Sequence, residues 1–287
     1  MVKPYAGSSG VTSSARVRRI KSFADHWLRV LVCLFLVLGT WSLPTTRLLE
    51  AQIPSGEQGD RLRLMLGFRV KPDLVEQRLP APWRLHPVDS GPLQGANFFV
   101  ILVDRVRDDD AEGRPRARGA NRIINFAMPA KHPQTGQTVS VILGGFASNP
   151  ANVPGFFHAY RAATVRMEHT IKAHAADAEE VTDVWEVQEA TGPGGLELRL
   201  RSLRQLSAQT RESREAQLLS ARDPTLWQRH KFDAVAEVIK SVPEGTDRVQ
   251  EYRFRLTGPE YRDLFDGSEE LIGISVSPWH LQQVFGP

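Results

Sequence analysis

Two stretches of this chain alternate so regularly that each predicts a strand with one dry and one wet face. In "LELRLRSL" Leu196, Leu198 and Leu200 alternate with Glu197, Arg199 and Arg201, and in "YRFRL" Tyr252, Phe254 and Leu256 alternate with Arg253 and Arg255. A period of two sends successive side chains to opposite faces of a strand. "TDVWEVQEA", ahead of the turn "GPGG", predicts the first strand of a hairpin with "LELRLRSL", and "FDAVAEVIKSV", ahead of "PEGTD", predicts the same arrangement with "RVQEYRFRLT". Earlier, "RLRLMLGFRV" reads as a partly buried strand and "ANFFVILVDRV" (96–106) as a central one, with two more strands near Arg122–Met128 and Thr138–Phe146. Pro72 opens a short helix over 72–79 that Pro80 and Pro82 stop. "RDDDAEGRPRARG" (107–119) reads as a polar loop, and weaker helical periodicity falls at 155–174, 208–218 and 258–266.

Strands outnumber helices, so the predicted fold class is β-rich α+β. An antiparallel sheet curls, or closes as a cone-like β-barrel, around a pocket, with few short helices. No G-x-G-x-x-G turn supports a parallel dinucleotide fold. One domain over 60–287 accounts for these elements.

The first residues have another texture. "VLVCLFLVLGTWSLPTT", Val30 to Thr46, carries no charge and follows Arg16, Arg18, Arg19, Lys21 and Arg29. Such a run fits a secretory signal or an uncleaved membrane anchor, and a buried core helix is the third reading. Residues 1–51 are therefore assigned to this leader and its tether, which predicts export to a periplasmic or extracellular space, or anchoring to a membrane. Only this segment is expected to meet a membrane.

Composition then narrows the chemistry. The sole cysteine, Cys33, lies in the apolar run, so the remaining chain has no disulfide, thiolate zinc site or cysteine nucleophile. With 36 basic and 33 acidic side chains the charge is near balance. Arg114, Arg116, Arg118 and Arg122 follow Asp108, Asp109 and Asp110, with no interleaved aromatics, which argues against nucleic acid. His169 and His174 are five apart, no H-E-x-x-H occurs, and Ser148 lacks a G-x-S-x-G context; neither a metal nor a cofactor is expected.

"RLRLMLGFRVKPDLVEQRLPAPW" resembles the opening of the acetoacetate decarboxylase-like superfamily, and "MPAKHP" resembles its aromatic-Pro-Lys-Lys segment. "TVSVILGGF" and "ATVRMEHT" are similar to the segments that follow, and the match spans most of 60–255. The resemblance implies a cone- or barrel-like fold around a buried ligand pocket. It also implies a lysine that forms a Schiff base with a β-keto acid, its amine kept neutral by an apolar site and a neighbouring cation. Position by position, that first lysine falls on Ala130, the second on Lys131 and the family's early arginine on Arg61; its glutamates find no counterpart.

A carbon–carbon lyase on this plan has Lys131 as nucleophile, Arg61 gripping the substrate carboxylate and His132 assisting proton transfer. Lys131 has a plainer reading, a solvated amine at a strand end near a turn, and so has His132, a turn histidine with no catalytic task. Asn97, Phe99, Phe126, Gly144 and Gly145 are the candidate ligand contacts. Asparagines at strand starts also stabilise turns, phenylalanines also fill cores, and a Gly-Gly pair also permits a bulge. The expected partner is a small organic or keto acid, and a homo-oligomer is compatible. The alternatives are a non-catalytic carrier of an apolar ligand and a membrane-anchored interaction module.

Overall fold

The computed structural model describes residues 54–116, 119–175 and 177–286. The expected leader, with Cys33 inside it, lies outside these residues, as does Arg118. Among the described residues no helix is long and apolar enough to cross a membrane.

The fold is almost entirely strand. In chain order the elements are β1 (Gly56–Arg69), α1 (Pro72–Glu76), β2 (Arg84–Leu85), β3 (Phe98–Asp110), β4 (Asn121–Lys131), β5 (Thr138–Ala147), β6 (Tyr160–Ala175) and β7 (Ala178–Glu189). There follow β8 (Gly195–Gln205), β9 (Thr210–Ser220), β10 (Trp227–Ser241), β11 (Thr246–Asp247), β12 (Val249–Thr257) and β13 (Glu270–Phe285). Strands β4, β5, β9, β10, β13, β1 and β3 pair in that order, and β3 pairs back to β4, so the sheet curls into a ring. Strands β12, β8, β7 and β6 form an antiparallel layer outside it, joined to the ring where β6 meets β5.

Several local expectations change. The segments expected as helices at 155–174 and 208–218 are β6 and β9, and 258–266 is a series of turns. Val165, Met167 and Ile171 of β6 alternate with Arg166, Glu168 and Lys172, and its ladder with β7 satisfies the backbone; tertiary pairing overrides the local charge spacing that suggested a helix. The expected loop at 107–119 is strand as far as Asp110, because β3 stays paired to Gly56–Gly59 of β1. Asp108, Asp109 and Asp110 are held there by Arg116, Arg107 and Arg114. α1 is shorter than the 72–79 expected. The hairpin at 178–205 forms as β7 and β8, whereas β10 and β12 do not pair: β10 lies between β9 and β13, and β12 joins β8.

Directly paired residues share a face of the sheet. One face of the ring strands carries Leu64, Leu66, Val100, Leu102, Ile124, Phe126 and Val276, which pack with Trp185, Leu196, Leu198 and Leu200 of the outer layer in a dry core. The other face points into the ring. There Leu218 of β9 packs into the same cluster as Met65 of β1 and Ile101 of β3, and Arg63 of β1 lies within electrostatic reach of Arg214 of β9, although three pairings separate these strands along the wall. Met65, Ile101, Asn125 and Leu218 are only half-buried, while their outward neighbours Leu64, Val100, Ile124 and Leu219 are buried. Water therefore reaches the inside of the ring more readily than its outside.

Candidate functional site

The inward face is polar over one part and apolar over another. Asp60 is buried and accepts from Arg63 at 2.8 Å and from Arg105 at 3.0 Å. Arg63 also donates to Gln282 Oε1 at 3.4 Å, and that oxygen lies 3.3 Å from His230 Nδ1. Gln282 in turn donates to Gln58. His280 pairs with Asp60 across the β1–β13 ladder; its Nδ1 is 3.4 Å from the carboxylate yet makes no hydrogen bond. The Tyr160 hydroxyl donates to Asn125 Oδ1 and its ring packs on the apolar part, with Phe99, Ala127, Ile142 and Phe157. Tyr160 thus stands where the two parts meet.

Burial sets the charge states. Desolvation raises the Tyr160 hydroxyl to about 12 against the pull of Arg105 and Arg63, so it remains a neutral donor. Desolvation lowers His230 to about 4 and His280 to about 3, with Arg63 and Arg105 pushing the same way, so both rings are uncharged near neutral pH. Burial opposes the charge on Asp60, but Arg105 and Arg63 outweigh it and hold its carboxyl below its ordinary range. Two guanidinium groups therefore share one carboxylate on the inward face.

The residues singled out in the sequence are spread around this arrangement. Lys131 is exposed at the end of β4. His132 is half-buried, stands edge-on to Trp83 with ring centres 5.3 Å apart, and accepts from the backbone N–H groups of Gln134 and Thr135. Arg61 lies elsewhere: it donates to the buried Asp104 at 2.8 Å, and Arg122 sits 3.1 Å from the same carboxylate. From Arg122 to Lys131 is nine residues of β4, roughly 30 Å of strand, so Arg61 and Lys131 do not converge. Ala130 is 1% exposed and packs outward in the dry core.

Asn97 is buried and clamps Val70, donating to its carbonyl at 2.9 Å and accepting from its N–H at 2.8 Å. Phe126 lies in the dry core, 4.5 Å from the Tyr261 ring. Phe99 points into the ring, and with Val88, Pro129, Ser140 and Ala216 it lines a recess of about 320 Å³ beside β9. Gly144 borders a smaller cleft with Arg161, Arg222 and Tyr261. At Gly145 an added Cβ would sit 2.0 Å from the Ile124 carbonyl and 2.9 Å from the Tyr160 ring, so the glycine lets Tyr160 lie across the wall. Of the expected contacts, then, Phe99 and Gly145 bear on the inward face. Among the described residues no three His, Cys, Asp or Glu side chains gather as a metal site.

Sequence reasoning missed Asp60, Arg63, Arg105, His230 and His280. They come from four strands, and alternation does not single them out: Asp60 is in step with Leu62 and Leu64, His230 with Phe232 and Ala234, and register shifts on either side of Asp60 break the period.

No protein-family model and no curated protein matches the chain. Solved structures do. The enduracididine biosynthesis enzyme MppR aligns with a TM-score of 0.50 at 10% identity, over 86% of this chain and 92% of that one. An acetoacetate decarboxylase-like enzyme from Sphingomonas wittichii aligns at 0.49 and 12% identity, over 80% and 89%. Acetoacetate decarboxylase from Legionella pneumophila aligns at 0.48 and 11% identity, over 86% and 92%. The likeness is one of fold.

Proposed function

We propose that the protein holds a small organic acid inside the ring by charge and shape, without forming a covalent bond to it. The observation that carries this reading is that two arginines, Arg63 and Arg105, share one buried aspartate, Asp60, on the inward face. One carboxylate does not saturate the donors of two guanidinium groups, and a bound carboxylate would accept from those that remain. The neutral Tyr160 hydroxyl and the uncharged His280 ring supply polar contacts beside the acid, and Met65, Ile101, Phe99 and Leu218 supply an apolar wall for its carbon chain. Ala130 at the position of the family's first lysine carries no amine, which favours a carrier or sensor over a Schiff-base lyase. The charge-free run Val30–Thr46 behind a basic flank adds export, or anchoring at a membrane, to the proposal.

Calorimetric titration of the full chain with pyruvate and with a monocarboxylate series from acetate to octanoate tests it. Binding is expected to weaken by about tenfold to a hundredfold in Arg105→Gln, the range of a charge-assisted hydrogen bond. Loss of no affinity in Arg105→Gln, or no acid binding at all, overturns the reading. A borohydride-trapped adduct on Lys131 would instead establish the covalent route.

A further inference from the structure

Strand β9 has one edge without a partner. It pairs with β10 from Thr210 to Leu219, but on its other edge it meets β5 only at Leu218–Ser220, and the Gln217 side chain is bonded to Gln137. Among the described residues Thr210–Ala216 therefore shows a row of unpaired backbone groups, and Arg211, Ser213, Arg214 and Glu215 on it are exposed. A free, straight edge is a template for another strand.

The sequence of that edge selects which strand. "RESRE", Arg211 to Glu215, reads as its own complement when reversed. In an antiparallel pairing centred on Ser213, Arg211 faces Glu215 of a second copy, Glu212 faces Arg214, and the same two contacts repeat by symmetry. A slip of one residue puts Arg211 opposite Arg214, or Glu212 opposite Glu215, and a parallel in-register pairing puts like against like throughout. Opposite charges directly across a ladder stabilise it and like charges oppose it, so one register is favoured and its neighbours are penalised. Among the described residues the Arg211 side chain has no hydrogen bond or ion pair, Glu212 lies 3.6 Å from Arg214, and Glu215 lies 3.3 Å from Lys231 and 3.7 Å from Arg229 at the surface of β10. We propose that two copies of this chain join β9 to β9 about a twofold axis through Ser213, which makes one sheet continuous across the pair. The proposal is independent of what the ring binds.

Oxidative cross-linking of the full chain in detergent, in a Cys33→Ser background, tests the register. Ser213→Cys is expected to give a disulfide-linked dimer on a non-reducing gel. Arg211→Cys is expected to give none, because its mate sits opposite residue 215, about 13 Å along the strand. Sedimentation tests the charge code: Glu212→Arg with Glu215→Arg, and Arg211→Glu with Arg214→Glu, are each expected to be monomeric at concentrations where the parent chain dimerises, and to form a mixed dimer when combined. A monomeric parent chain, equal cross-linking at 211 and 213, or charge-reversed variants that still self-associate would overturn the proposal.

Discussion

A single missing methyl group shapes the inward face. Because an alanine Cβ at Gly145 would lie 2.0 Å from a backbone oxygen that cannot retreat, Gly145→Ala is expected to destabilise by about 1–3 kcal/mol and to displace Tyr160. Urea midpoints measure the first effect and tyrosine near-ultraviolet dichroism the second. The two buried histidines make stability depend on pH. Their folded pKa values, about 3 for His280 and about 4 for His230, lie below the ordinary 6.5, so the unfolded chain binds protons that the folded chain refuses. Stability is then full above pH 6.5 and falls as the pH drops toward 4, by something on the order of 2–3 kcal/mol for each ring. Denaturation at pH 7.5 and pH 4.5 should show this loss, and His280→Gln should shrink it; an unchanged slope in that variant would remove His280 from the account. Residue by residue, the sequence revealed chemistry only where neighbours in sequence carry it. The Gly144-Gly145 pair and Phe99 stood out, whereas Arg63 looked like one more solvated position in "RLRLML". Alternation tells which side chains share a face but not whether that face meets bulk water or the inside of a closed ring.

At the scale of elements, Asn97 ties the start of β3 to the end of β1 through both polar groups of Val70. Asn97→Ala leaves a buried N–H and a buried carbonyl unmatched and is expected to cost about 2–4 kcal/mol, read from urea unfolding. Asn97→Asp keeps the acceptor and should fall between. Strand positions were legible where alternation was long, as in β7, β8 and β12, or where apolar residues ran unbroken, as in β3. The misread strands, β6 and β9, are the polar ones with an unpartnered edge, where side chains take little part in packing and the backbone ladder alone decides. Pairing partners were less legible still, since β10 and β12 follow one another in sequence and never share a ladder.

For the molecule as a whole, the curled sheet was foreseeable from the number of strands and the want of helices, while its closure depends on contacts between distant parts of the chain. The wall is sealed by β1 against β13, with Gly56 opposite Val284 and Gly59 opposite Leu281. Replacing Ile274 and Val276 of β13, both fully buried, by aspartate should leave a collapsed product that binds hydrophobic dye and lacks a cooperative unfolding transition. That seam has a consequence for how the protein is made. A ribosome delivers β1 long before β13, so the nascent chain emerges with its first long strand short of one of its two mates. The ring consequently cannot close until β13 has emerged, and everything between the two strands must be made while β1 waits for that mate.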